Sequence, residues 1–171
     1  MASTDPIVGT VINRNEVQDK KSGPVAVSIT LGVGLVYEDG ANGWKNAPID
    51  GSIHADELYW NPTELISTAV LGGVIGTFYG EGARVIGVAD TAIVVDQKCK
   101  ASTNVAQALE PNADPANSTT PTSGEVDAIR DWIRDTVAIY KGHALEVNRV
   151  DAVATNAVDT ETNCVFEIVR G

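Results

Sequence analysis

The stretch Val74-Ile75-Gly76-Thr77-Phe78-Tyr79, Gly80-Glu81-Gly82, Arg84-Val85-Ile86-Gly87-Val88-Ala89 decides the fold class. Two β-branched runs flank a short glycine turn, which is the pattern of paired strands. After Asp90 a further run, Ala92-Ile93-Val94-Val95, reads as another strand. Runs spaced by about ten residues with turn signals between them predict a small β-sandwich or barrel.

Working toward the N-terminus, Val25, Val27 and Ile29 alternate with Ala26, Ser28 and Thr30, and Leu31 to Tyr37 continue as strand. Glu38-Asp39-Gly40-Ala41-Asn42-Gly43 is a turn, because Asp-Gly and Asn-Gly supply positive φ. Residues 1–24 read as an N-terminal arm, with Ile7 to Ile12 as one possible strand and Ser22-Gly23-Pro24 as its end. Asn61-Pro62-Thr63-Glu64 is a helix-start signal. Leu65 to Leu71 fits a short helix, and the alternation of Ile66, Thr68 and Val70 fits a strand equally.

Working toward the C-terminus, residues 101–124 are polar and proline-rich and read as an exposed loop. Thr122-x-x-Glu125 is a capping box. Val126, Ile129, Ile133 and Val137 recur at helical spacing, with Asp127–Arg130 and Asp131–Arg134 as i,i+3 pairs. The helix is expected over about 124–140, closed by Lys141-Gly142, with His143 in the favourable field of its C-terminus. Ala144 to Val147 and Cys164 to Val169 return to strand, the latter with 164, 166 and 168 inward and Glu167 outward. The fold class is therefore mainly β with one clear helix (α+β): an arm, 1–24, and a single β-rich domain, 25–171.

The 171 residues suit one domain with its own core. The formal charge of −11 disfavours nucleic acid and anionic lipid as partners. No apolar run approaches the roughly 20 residues that span a bilayer, and the N-terminus lacks the basic flank and apolar core of a signal peptide. Lysine is rare, aspartate common and the apolar set small, as in proteins adapted to molar salt, where an acidic surface is screened. An ordinary acidic protein is the alternative.

No motif for catalysis, cofactor or metal stands out. His54-x-Asp56-Glu57 has ligand-type residues but reads as a solvated loop. Gly72-Gly73-Val74-Ile75-Gly76 reads as a helix exit into strand rather than a phosphate cradle. Cys99 and Cys164 read as half-buried thiols, although one bridge between them is possible. Trp44, Tyr59, Trp60, Phe78 and Tyr79 lie near turns, where aromatics either anchor interfaces or cap a small β-core. Trp132 lies beside the helix stripe, positioned to widen it or to reach a neighbour.

Gly87-Val88-Ala89-Asp90-Thr91-Ala92 and Gly142-His143-Ala144-Leu145-Glu146, with the short arm and the Gly/Val/Ala-rich β-domain, resemble tailed-virus capsid decoration (cement) proteins. The resemblance covers about 70–100 and 140–170; the helix and the loop before it depart from the simplest members. With the salt-adapted composition it implies a virus of a halophilic archaeon. It further implies a non-enzymatic virion protein on the capsid exterior, a homotrimer bound to the major capsid protein. Ile7, Val8, Val11 and Ile12 of the arm, with Trp44, Tyr59, Trp60, Phe78, Tyr79 and Trp132, are then the candidate interface residues. The competing expectations are another virion part, such as a vertex turret, head–tail or tail protein, and a cytoplasmic haloarchaeal β-barrel enzyme or ligand-binding protein.

Overall fold

The structure is a computed structural model and describes residues 9–26, 29, 34–48, 52–62, 74–105, 108–115, 118–141 and 162–170. Among these residues the fold is mainly β with one α-helix.

Five strands form the first sheet: β1 (Lys20–Pro24), β2 (Leu35–Glu38), β3 (Trp44–Asn46), β4 (Tyr59–Trp60) and β5 (Ile75–Tyr79). Their order is β1-β5-β4-β2-β3, and every pair is antiparallel. The two edges meet: Val25 bridges Trp44, and the Ala26 amide donates to the Trp44 carbonyl at 2.9 Å. Gly43 makes that approach possible. Its φ is +82°, and a Cβ there would collide with the Pro24 carbonyl.

The other five strands close a barrel in the order β10-β6-β8-β7-β9. They are β6 (Arg84–Ala89), β7 (Lys98–Ala101), β8 (Ala108–Pro111), β9 (Ala138–Tyr140) and β10 (Thr162–Ile168). Only β6 and β8 pair in parallel. Closure removes free strand edges, the usual template for aggregation. The helix α1 (Ser123–Asp135) lies between β8 and β9.

Strand periodicity distributes the core. On β2, Leu35 faces the core shared with the barrel and Val36 the inside of the first sheet; on β4, Trp60 and Tyr59 divide in the same way. The shared core adds Val85, Leu109, Val137, Phe166 and Ile168. The inner core is Val25, Ile29, Val36, Trp44, Tyr59 and Phe78. Gly87 on β6 lets Phe166 and Trp60 approach: a Cβ there would lie 3.0 Å from both rings.

Several sequence expectations change. Much of the 1–24 arm belongs to the fold: Val11 bridges Val85, Val11 and Val17 are buried, and Lys20–Pro24 is β1. An edge strand needs only its backbone to pair, so the polar Lys20-Lys21-Ser22 did not signal it. The Ile29 amide donates to the Ala26 carbonyl at 3.2 Å, and Val27, Ser28 and Thr30 of the expected alternation lie outside the described residues. Val94 and Val95 are exposed in a turn, not a strand, because Gln97 accepts from the Val94 amide and Asp96 is left-handed at φ 62°.

The expected 101–124 loop contains β8, with Ala108 and Leu109 fully buried. Two apolar residues beside Glu110-Pro111 were too short a signal. The helix stops at Asp135 rather than near 140. Thr136 donates its hydroxyl to the Trp132 carbonyl, and Ala138-Ile139-Tyr140 then pair as β9 with β7 and β10. Val137 is therefore core but not helix, while Val126 and Ile133 remain 43% and 45% exposed. β10 buries Cys164, Phe166 and Ile168 as expected, and Val165 as well. The segment 63–71 and the strand at 144–147 lie outside the described residues, as does His143.

Candidate functional site

The structure separates the ten candidate interface residues. Ile7 and Val8 lie outside the described residues. Val11, Trp44, Tyr59, Trp60 and Phe78 are buried, so they are core residues and not surface anchors. Trp44 stacks on Phe78 with centroids 4.2 Å apart and meets Tyr59 edge-on at 5.3 Å. Trp60 donates Nε1–H to the Gly9 carbonyl at 3.1 Å, which ties the N-terminal segment to both halves of the fold. Aromatics beside turns fill the inside because a small sheet with short strands has few other bulky residues to close it. Ile12 is exposed, and Tyr79 and Trp132 are half-buried.

Two polar clusters remain. The first centres on Asp19, just before β1. Its carboxylate accepts from the Tyr59 hydroxyl at 3.0 Å, the Glu81 amide at 2.8 Å and Arg170 at 2.7 and 3.1 Å. Burial alone would raise its pKa. The Glu81 amide, Arg170 and Tyr59 outweigh burial and hold it below the ordinary carboxylate value. Tyr59 moves the other way, raised by burial and by its bond to Asp19. Arg170 also lies over the Tyr59 ring, 4.5 Å from its centroid. This cluster is a clasp between the beginning and end of the described chain.

The second cluster lines a surface groove of about 470 Å³ formed by Asp96, Gln97, Lys98, Asn112, Ala113, Asp114 and Trp132. Trp132 is rigidly mounted. Its Nε1–H donates to the Asn112 carbonyl at 3.0 Å, and the Asn112 side-chain amide donates to the Trp132 carbonyl at 2.8 Å. Lys98 places Nζ 3.8 Å from the indole centroid. The sequence marked Trp132 but not its partners, since Asn112 sits in a stretch that read as loop.

No disulfide joins Cys99 and Cys164, and both are buried in the barrel. Burial pushes the Cys99 thiol up to about 12, so it behaves as a small apolar residue at neutral pH. Among the described residues, no three His, Cys, Asp or Glu side chains group to hold a metal. Among them also, no helix is long and apolar enough to cross a membrane.

No protein-family description, curated protein or solved structure matches the chain.

Proposed function

We propose that this chain is a capsid decoration protein: it binds the outside of an assembled capsid and ties neighbouring capsomers together. The observation that carries the reading is how the N-terminal segment is held. The Gly9 amide donates to the Ile86 carbonyl at 2.7 Å, the Ile12 amide to the Arg84 carbonyl at 2.8 Å, and the Ile86 amide to the Thr10 carbonyl at 2.9 Å. The chain before Gly9 thus starts from a fixed point on the barrel wall. A segment anchored there can add a strand to an exposed edge of the major capsid protein. Self-assembly as a homotrimer would multiply such contacts into avidity.

Other features support the same reading. The closed barrel resists edge-to-edge association. The net charge of −11 favours solubility of decorated particles, and molar salt screens the self-repulsion of so acidic a surface. The resembling phrase Gly87-Val88-Ala89 lies on β6, the strand that holds the N-terminal segment.

The test is removal of residues 2–8 followed by rebinding to stripped particles at molar salt. The truncation must end before Gly9, because Val11 is core. The truncated chain is expected to melt like the full chain and to stay unbound in the supernatant. Undiminished cosedimentation with particles would overturn the anchor role.

A further inference from the structure

We propose that the groove at Trp132 is a receptor for an arginine side chain of a protein partner, and that Lys98 occupies it in the free chain. The inference stands apart from the capsid reading, since it rests on the groove alone.

Trp132 is a prepared aromatic face. Its ring is held by Nε1–H donating to the Asn112 carbonyl at 3.0 Å, while the Asn112 side-chain amide and the Thr136 hydroxyl tie the Trp132 backbone carbonyl at 2.8 and 2.7 Å. A face fixed before binding loses little freedom when it is covered. It also accepts a cation, because the Lys98 ammonium already sits 3.8 Å from the ring centroid.

The groove is electrostatically unbalanced in favour of a cation. Two carboxylates, Asp96 and Asp114, line it with one ammonium, Lys98. The cation nearest Asp96 is Lys141, at a loose 3.9 Å. Among the described residues Lys98 forms no ion pair with either carboxylate, and the ring is what holds its ammonium. Exchanging it for an incoming cation preserves the charge in the groove. A neutral ligand displacing Lys98 would leave the two carboxylates facing only the loose Lys141 contact at Asp96.

Guanidinium suits this arrangement better than ammonium. It is planar, stacks on an indole, sheds water more readily and presents paired N–H groups to a carboxylate. The groove, at about 470 Å³, falls within the range of about 300–1,000 Å³ usual for small-ligand sites. The turn that precedes Asp96 exposes Val94 and Val95 at 70% and 59%, offering apolar contact to residues flanking such an arginine.

The test is titration of the full chain with N-acetyl-arginine amide, followed by the three tryptophan indole N–H resonances, with the neutral citrulline analogue as control. W132F assigns the Trp132 signal by its disappearance. The signals of buried Trp44 and Trp60 report that each variant is folded. Arginine amide is expected to shift the Trp132 resonance saturably, and the citrulline analogue is expected to leave it unmoved. K98M is expected to tighten binding about threefold or more by emptying the groove, and D114N to weaken it by a similar factor. An indole that ignores arginine amide, or responds equally to the citrulline analogue, overturns the receptor. Unchanged or weaker binding in K98M overturns the placeholder role of Lys98.

Discussion

The helix α1 and the aromatic core of the first sheet are held in opposite ways. No residue of α1 is buried. It is stabilised from within, by the Thr122–Glu125 capping box and the Asp127–Arg130 and Asp131–Arg134 pairs. Its anchor to the body is the Trp132–Asn112 exchange of hydrogen bonds. Trp44 and Phe78 have no such local support and are held by burial and ring contact, and Tyr59 adds to these its hydroxyl bond to Asp19. Local devices contribute tenths to about 1 kcal/mol each, whereas a buried aromatic contributes several. The helix can therefore be altered piecemeal, but the core cannot.

The sharpest way to break that contrast is Trp60→Ala. The side chain is fully buried between the two halves and bonds the Gly9 carbonyl. The expected loss is about 3–5 kcal/mol, read from urea denaturation. A loss under about 1 kcal/mol would mean that the halves do not share a core.

Next in size is Asp19→Asn. It weakens the bonds to Arg170, Tyr59 and Glu81, with an expected loss of about 1–2 kcal/mol at neutral pH. The depressed pKa fixes the sign with pH. The contribution is fully present above the unfolded value near 4 and is lost as pH falls through the lower folded value. Melting curves of the parent and the variant should therefore converge as pH falls through the lowered folded value. A gap that stays constant as the solution is acidified below the ordinary carboxylate value would contradict the clasp.

Thr122→Ala removes the cap and should cost about 1 kcal/mol, seen chiefly as fraying of α1 in amide exchange while barrel protection persists. Asp127→Ala deletes an exposed ion pair and should change stability by less than about 0.5 kcal/mol. A large effect at Asp127 would show that the helix has a partner in the assembled state.

The same contrast explains what was legible in the sequence. The helix start was readable because the capping box and the i,i+3 pairs are local, and each residue reports its own partner. β5, β6 and β10 were readable from their β-branched runs. β1 and β8 were not, because Lys20-Lys21-Ser22 and Ala108-Leu109-Glu110-Pro111 become strands only through partners far along the chain. Val137 matched the helical spacing, yet its amide donates to the Cys99 carbonyl. Tertiary pairing overrode periodicity there. At the candidate site, sequence could single out Trp44, Tyr59, Trp60, Phe78 and Trp132 as unusual but could not divide inside from outside. That division depends on which face of each short strand meets the barrel. The groove at Trp132 is built from three separate segments and is visible only once they are brought together.

The most direct test of the decoration role is sedimentation of the native protein from its source at molar salt, with mass spectrometry across the gradient. The account predicts that the chain travels with a large particle, beside an abundant second protein and at a fixed copy ratio to it. A chain that stays at the top of the gradient as a small species would contradict it.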